Sequence, residues 1–117
     1  IVIESNALRY VQSYFTKVEY AIILDMANMV RGNYNCLYLD GRPCSLSDLS
    51  VYFGYTRNIF AKFVSKLQEH SIINVIIGSK NNTPHAQVML NPTLARKSKT
   101  FHTDCLSMFD DLSTVTW

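Results

Sequence analysis

The chain of 117 residues has only three cysteines, four glycines, three prolines and one tryptophan. Cys36, Cys44 and Cys105 are odd in number and irregularly spaced, which excludes a disulfide framework and fits a reducing compartment. Cys36 and Cys44 stand eight positions apart with no CxxC and no local histidine, so a zinc site on them is rejected. Thiols in or near the core are expected instead. His70, His85 and His102 have no metal-ligand spacing and are expected at the surface or a polar edge. No run of about 18 apolar residues occurs, which excludes a helical membrane span. Ile1-Val2-Ile3 is too short for a signal-peptide core and lacks a basic start, so a cytoplasmic protein is expected. The first residue is Ile rather than Met, as a trimmed chain or an excised domain would show.

Catalytic signatures are absent too. There is no GxSxG, HExxH or phosphate-binding loop, and no carboxylate pair in a glycine-rich setting. Asp110 and Asp111 are neighbours in sequence, so on a helix they diverge rather than share a metal. Seven tyrosines offer a nucleophile of the kind that nicks DNA, but nothing marks one of them and no HxH pair accompanies them. No enzyme, cofactor or metal is expected. Neither an internal repeat nor a low-complexity stretch is present.

What is present is an apolar fraction of 48% against 17% charged, enough to build a core. The length suits one domain spanning residues 1–117. The net charge of +2 is unevenly distributed. Residues 57–99 hold seven basic side chains (Arg57, Lys62, Lys66, Lys80, Arg96, Lys97 and Lys99) against Glu69 alone, a local charge of +6. The remainder carries four basic and eight acidic residues, or −4. Such a division suits a cationic face turned to a polyanion, or an unevenly charged solvated surface.

Periodicity and turn chemistry place the elements. Ala7, Leu8, Val11 and Tyr14-Phe15 recur at helical spacing. Thr16-Lys17-Val18-Glu19 reads as a capping box opening a helix to about Val30. Its apolar stripe is Val18, Ala21, Ile22, Met26, Met29 and Val30, and Gly32-Asn33 is its stop. Leu37-Tyr38-Leu39 is a short extended run before the turn signal Asp40-Gly41. Ser45 with Asp48 caps a short helix, with Leu46, Leu49 and either Val51 or Phe53 turned inward and Gly54 ending it. Thr56 caps the next helix, residues 57–70, the third to begin on a cap. Phe60, Phe63, Val64 and Leu67 form its core stripe, and Arg57, Asn58, Ala61, Lys62, Ser65 and Lys66 its opposite face. The β-branched run 72–77 and the run 86–90 pair as a hairpin around a polar loop, 78–85. Asn91-Pro92 breaks it, a basic stretch runs over 96–100, and Cys105, Leu106, Met108, Phe109 and Leu112 suggest a last helix.

Two short helices around a glycine, followed at once by a hairpin, make a winged helix-turn-helix: a mainly α fold of the α+β class with a small β-hairpin wing. The helix-turn-helix lies at about 45–70, the wing at about 72–90, and a C-terminal arm and helix at about 93–112. A helix fits the major groove, and its first residues meet base edges. The expected contacts to double-stranded DNA are Thr56, Arg57, Asn58, Ala61, Lys62, Ser65 and Lys66 on the helix. Lys80 and Asn81 at the wing are expected at the backbone or the minor groove, and Arg96, Lys97 and Lys99 on the arm at the backbone. Each cation is also consistent with a plain solvated position; the convergence of helix order, hairpin and charge window favours DNA. The competing expectation is a winged-helix module that docks protein.

The stretch from Leu37 to Pro92 resembles the winged-helix domains of RepL-type plasmid and phage replication proteins and, more loosely, MarR-like regulators. The residues carrying the resemblance are Leu37-Tyr38-Leu39-Asp40-Gly41-Arg42-Pro43-Cys44-Ser45, then Leu67-Gln68-Glu69-His70-Ser71-Ile72-Ile73, then Val88-Met89-Leu90-Asn91-Pro92. The resemblance covers about half the chain and implies replication or transcription control at the DNA of mobile elements. The start before Leu37 and the acidic-apolar tail 104–112 depart from it. These amphipathic flanks either fold onto the core or build a homodimer that places two recognition helices on successive half-sites, and the dimer is the expectation adopted.

Overall fold

The structure, a computed structural model, describes residues 2–32, 34–80, 83–96, 109 and 112, and of residues 77–80 and 83–86 the backbone alone. The order is β1 (Val2–Ile3), α1 (Ser5–Tyr14), α2 (Lys17–Ala27), β2 (Val30–Arg31), β3 (Cys36–Leu39), β4 (Arg42–Pro43), α3 (Leu46–Tyr52), α4 (Arg57–Glu69), β5 (Ile73–Lys80), β6 (Thr83–Leu90) and β7 (Ala95–Arg96). The class is α+β, with four helices and antiparallel strands among the described residues.

Three helices begin on side-chain caps that local chemistry dictates. Thr16 Oγ1 accepts from the Glu19 N–H at 3.2 Å, and the Thr16 N–H donates to Glu19 Oε1 at 2.8 Å. Ser45 and Asp48 repeat the exchange at 3.2 and 2.9 Å. Thr56 Oγ1 accepts from the Ile59 N–H at 3.4 Å. Each interaction satisfies a backbone donor that the first helical turn leaves without a partner.

α2 is shorter than its pattern suggests. It stops at Ala27, not Val30, because Asn28 folds its side chain back onto the Leu24 carbonyl and the chain turns. Val30 then pairs with Leu37 as a strand, where a β-branched side chain fits well. Gly32, at φ +74, therefore serves the β2–β3 connection rather than the helix end. The buried stripe also differs from expectation. Ile22, Ile23, Met26 and Ala27 are buried, while Val18 is 62% exposed and Ala21 lies open. The segment is apolar on more than one side, so its period admits two faces, and the sheet selects between them.

The sheet is larger than a wing. It runs β2-β3-β6-β5, with β4 added on β3 through the two-residue turn Asp40-Gly41. Both turn residues have positive φ, 53° and 80°, as a tight hairpin matched to strand twist requires. β5 and β6 pair continuously from Ile73↔Leu90 to Lys80↔Thr83, so much of the expected 78–85 loop is strand. β1 pairs with β7 as a separate two-stranded ribbon.

One core joins these layers: Val11 of α1, Ile23 and Met26 of α2, Leu49 of α3, Leu67 of α4, and Leu37 and Leu90 of the sheet all have no exposed surface. Ala7, Val11 and Phe15 put the apolar face of the first flank into this core. That side of the flank is consumed inside the chain, while Tyr14 stays 45% exposed and Leu8 half-buried. Leu112 is buried too and donates its N–H to Thr93 Oγ1 at 3.0 Å, while Phe109 packs on Cys36 and Met89. The remainder of the expected last helix, Cys105 included, lies outside the described residues.

Asn35 and Asn91 fasten the irregular joints. Asn35, 1% exposed, donates through Nδ2 to the Leu90 carbonyl at 2.8 Å and the Ala95 carbonyl at 2.7 Å. Asn91 donates to the Ser71 carbonyl and accepts from the Thr93 N–H. Ser71 ends α4 in a Schellman arrangement: its N–H reaches the Gln68 carbonyl, and that of Ile72 reaches Leu67. Ser71 sits at φ +59, a conformation that favours glycine. Ser71→Gly is accordingly expected to raise stability by about 0.5–1 kcal/mol in urea denaturation; a loss of stability would contradict this reading of the joint.

Candidate nucleic-acid interface

α3 and α4 are held by the four residues between them. Phe53 closes α3, and Gly54 takes φ +75. The Gly54 N–H donates to the Val51 carbonyl at 3.1 Å and the Tyr55 N–H to the Ser50 carbonyl at 2.9 Å, again a Schellman arrangement. Phe53 and Tyr55 both stack near Phe60, with centroids 6.5 and 6.4 Å away. The turn is thus fixed by backbone bonds and aromatic packing, and it sets where α4 begins.

α4 buries Phe60, Val64 and Leu67, with Phe63 half-buried. The same period that sends these inward leaves Arg57, Asn58, Ala61, Lys62 and Ser65 exposed together on the outer side. No acidic residue lies in the first turn of α4. The helix dipole and Arg57 therefore both favour an anion at this end.

Other expected contacts are committed elsewhere. Lys66 Nζ lies 2.9 Å from Glu19 Oε1 and 4.7 Å from the centre of the Phe15 ring. It joins α4 to α2 rather than facing outward with Lys62. Arg96 bonds Glu4 at 3.1 Å and the Pro92 carbonyl at 3.1 Å, with its side chain 16% exposed. This cation braces the β1–β7 ribbon instead of extending as an arm. Thr56 is exposed, but its hydroxyl is the α4 cap. Lys80 ends β5, though its side chain, like Asn81, Lys97 and Lys99, lies outside the described residues. Helix formation brings Arg57, Asn58, Ala61, Lys62 and Ser65 together, and the fold removes Lys66 and Arg96 from them.

The Lys66–Glu19 pair has a pH consequence. Partial burial pushes the Glu19 carboxyl up, but the bond and charge of Lys66 together with the Thr16 contacts outweigh it and hold the group below its ordinary value. The folded value being lower than the unfolded one, the pair stabilises fully above the ordinary carboxylate range. Its contribution disappears as acid carries the pH down through the lowered value. Glu19→Gln is expected to cost about 1 kcal/mol at neutral pH, with the gap to the parent narrowing as the pH falls below the ordinary carboxylate range, in urea denaturation at neutral and acid pH. A gap that stays constant with pH would contradict the assignment.

Two depressions flank α4. One, about 410 Å³, lies between α3 and α4, with Ser47, Ser50, Arg57, Ala61 and Ser65 around apolar Leu46, Phe60 and Val64. The other, about 360 Å³, lies between α2 and α4 and includes Glu19, Ile22, Ile59 and Lys62. Sequence reading missed Ser47, Ser50 and the 56% exposed Ile59. The i, i+3 spacing of the two serines on a capped helix is the signal that was there to find them.

The remaining chemistry-bearing groups are structural. Cys36 donates to Gln87 Oε1 and Cys44 to the Leu37 carbonyl, both at 3.3 Å. Both thiols are buried as expected; burial, then the nearby Asp48 charge, pushes Cys44 up to about 11, which keeps it protonated and unreactive. His70, half-buried, shares a 2.9 Å hydrogen bond with Tyr10 Oη and packs against Tyr14 and Phe15 at the α1–α4 joint. Among the described residues no three His, Cys, Asp or Glu side chains gather as a metal site, and no helix is long and apolar enough to cross a membrane. Comparison with protein-family models, curated proteins and solved structures finds no match for this chain.

Proposed function

We propose that this chain is a winged helix-turn-helix protein that binds double-stranded DNA, with α4 in the major groove. The observation that carries the reading is the outer side of α4, where Arg57, Asn58, Ala61, Lys62 and Ser65 stand exposed with no acid in the first turn. Arginine can donate two hydrogen bonds to guanine, and asparagine can pair with adenine. The α3–α4 turn is fixed at both ends, so these side chains are presented in one geometry, and the β5–β6 hairpin follows at once as the wing. The stretch from Leu37 to Pro92 resembles RepL-type proteins, and replication or transcription control at plasmid or phage DNA is the biological role proposed. A two-fold homodimer on paired half-sites would rest on surfaces other than the buried side of α1. Dimethyl-sulfate interference tests the groove: methylation of guanine N7, which projects into the major groove, should block binding at specific positions. Interference confined to adenine N3, in the minor groove, would refute docking of α4.

A second reading, a protein-docking module, draws on Val51 at 80% and Tyr52 at 58% exposure on α3. It predicts partner binding indifferent to Arg57 and Lys62 but lost in a Val51/Tyr52 double alanine variant. The DNA reading predicts the reverse.

A further inference from the structure

The depression between α3 and α4 has a chemistry that the charged residues beside it do not explain. Its floor is apolar: Phe60 is 3% and Val64 7% exposed, with half-buried Leu46 beside them. Its rim is made of small side chains, Ser47, Ser50, Ala61 and Ser65. Arg57 stands at one edge, and no acidic residue lines it. By contrast, the depression on the other side of α4 contains Glu19, and the one beside β4 contains Asp40 and Asp48. The α3–α4 depression is therefore matched in charge to a polyanion and matched at its floor to an apolar group.

We infer that this depression receives the 5-methyl group of a thymine in the major groove, so that the protein's sequence preference includes a thymine recognised chiefly through its methyl. The inference rests on the DNA reading above. Among unmodified base pairs, the thymine methyl is the apolar group displayed in the major groove. Amine and carbonyl edges would lose water against Leu46, Phe60 and Val64 without gaining a partner there. A methyl group loses nothing and gains contact. A 5-methylcytosine would offer the same methyl but sets its N4 amine beside it, and the Arg57 guanidinium has donors only. Thymine instead offers the O4 acceptor, which Arg57 can bond. The arrangement thus selects thymine over methylated cytosine.

The test uses the whole chain and a duplex selected from a randomised pool, with thymines replaced one at a time by deoxyuridine, which lacks only the methyl. Affinity is expected to fall about fourfold at one or two positions in the α4 footprint, the effect of withdrawing one buried methyl. Restoring the methyl there on a cytosine, as 5-methyl-dC opposite dG, should not recover the loss. Salt-dependent, site-selective binding with no position sensitive to deoxyuridine would overturn the inference and leave the DNA reading intact. Equal binding of 5-methyl-dC at the sensitive position would overturn the choice of thymine. Absence of a preferred site would overturn the inference alone, and absence of any duplex binding would overturn it together with the reading on which it rests.

Discussion

Replacing both Arg57 and Lys62 by alanine is expected to weaken binding to a preferred duplex about tenfold to several-hundredfold without unfolding the chain. Both side chains are exposed on α4, and neither belongs to the buried set that holds the helix in place. Their removal should therefore leave the circular dichroism and urea midpoint nearly unchanged. The two contributions are separable. Arg57 stands at the first position of α4, where a guanidinium can reach a base edge, so Arg57→Ala should cost about 1–3 kcal/mol on the preferred site and less on random sequence. Lys62 stands one turn further along, and Lys62→Ala should weaken all sequences alike and reduce the salt slope by about one. Equal losses on preferred and random duplexes in the Arg57 variant would remove its base-reading role.

Asn35→Ala is expected to be the most damaging small substitution, at about 2–4 kcal/mol in urea denaturation. The amide is buried and bonds two carbonyls, Leu90 at the end of β6 and Ala95 at the start of β7. Alanine would leave those acceptors without this donor in a site closed to water. It would also place a plain Cβ at φ +57, where the asparagine now sits. Asn35→Gly separates the causes: it relieves the backbone conformation but not the lost bonds, so it should recover about 1 kcal/mol relative to alanine. A loss below about 1 kcal/mol in the alanine variant would show that β6 and β7 are joined by other means.

These two predictions divide along the line between what the sequence displays and what it hides. The outer side of α4 was legible because a helix places residues by a fixed period, and Phe60, Val64 and Leu67 mark the inward side unmistakably. The caps Thr16–Glu19 and Ser45–Asp48 and the stop at Gly54 were legible because their partners lie within a few residues. The ion pairs of Lys66 and Arg96 were hidden for the opposite reason. Glu19 is 47 residues from Lys66, and Glu4 is 92 from Arg96, so no local pattern joins them. The addition of β2, β3 and β4 to the hairpin was hidden likewise: Cys36 meets Met89 only when the sheet assembles. Asn35 carries no periodic signal at all, and its role is set by two distant carbonyls.

The central claim is that the exposed side of α4 is a DNA-binding surface. Its most direct test is a fluorescence-anisotropy titration of the chain against a labelled random duplex at several salt concentrations. The account predicts binding at low salt that weakens along a log–log slope of about −2 or steeper, because Arg57 and Lys62 together would displace at least two counterions. A folded chain that leaves the anisotropy unchanged at low salt would contradict it.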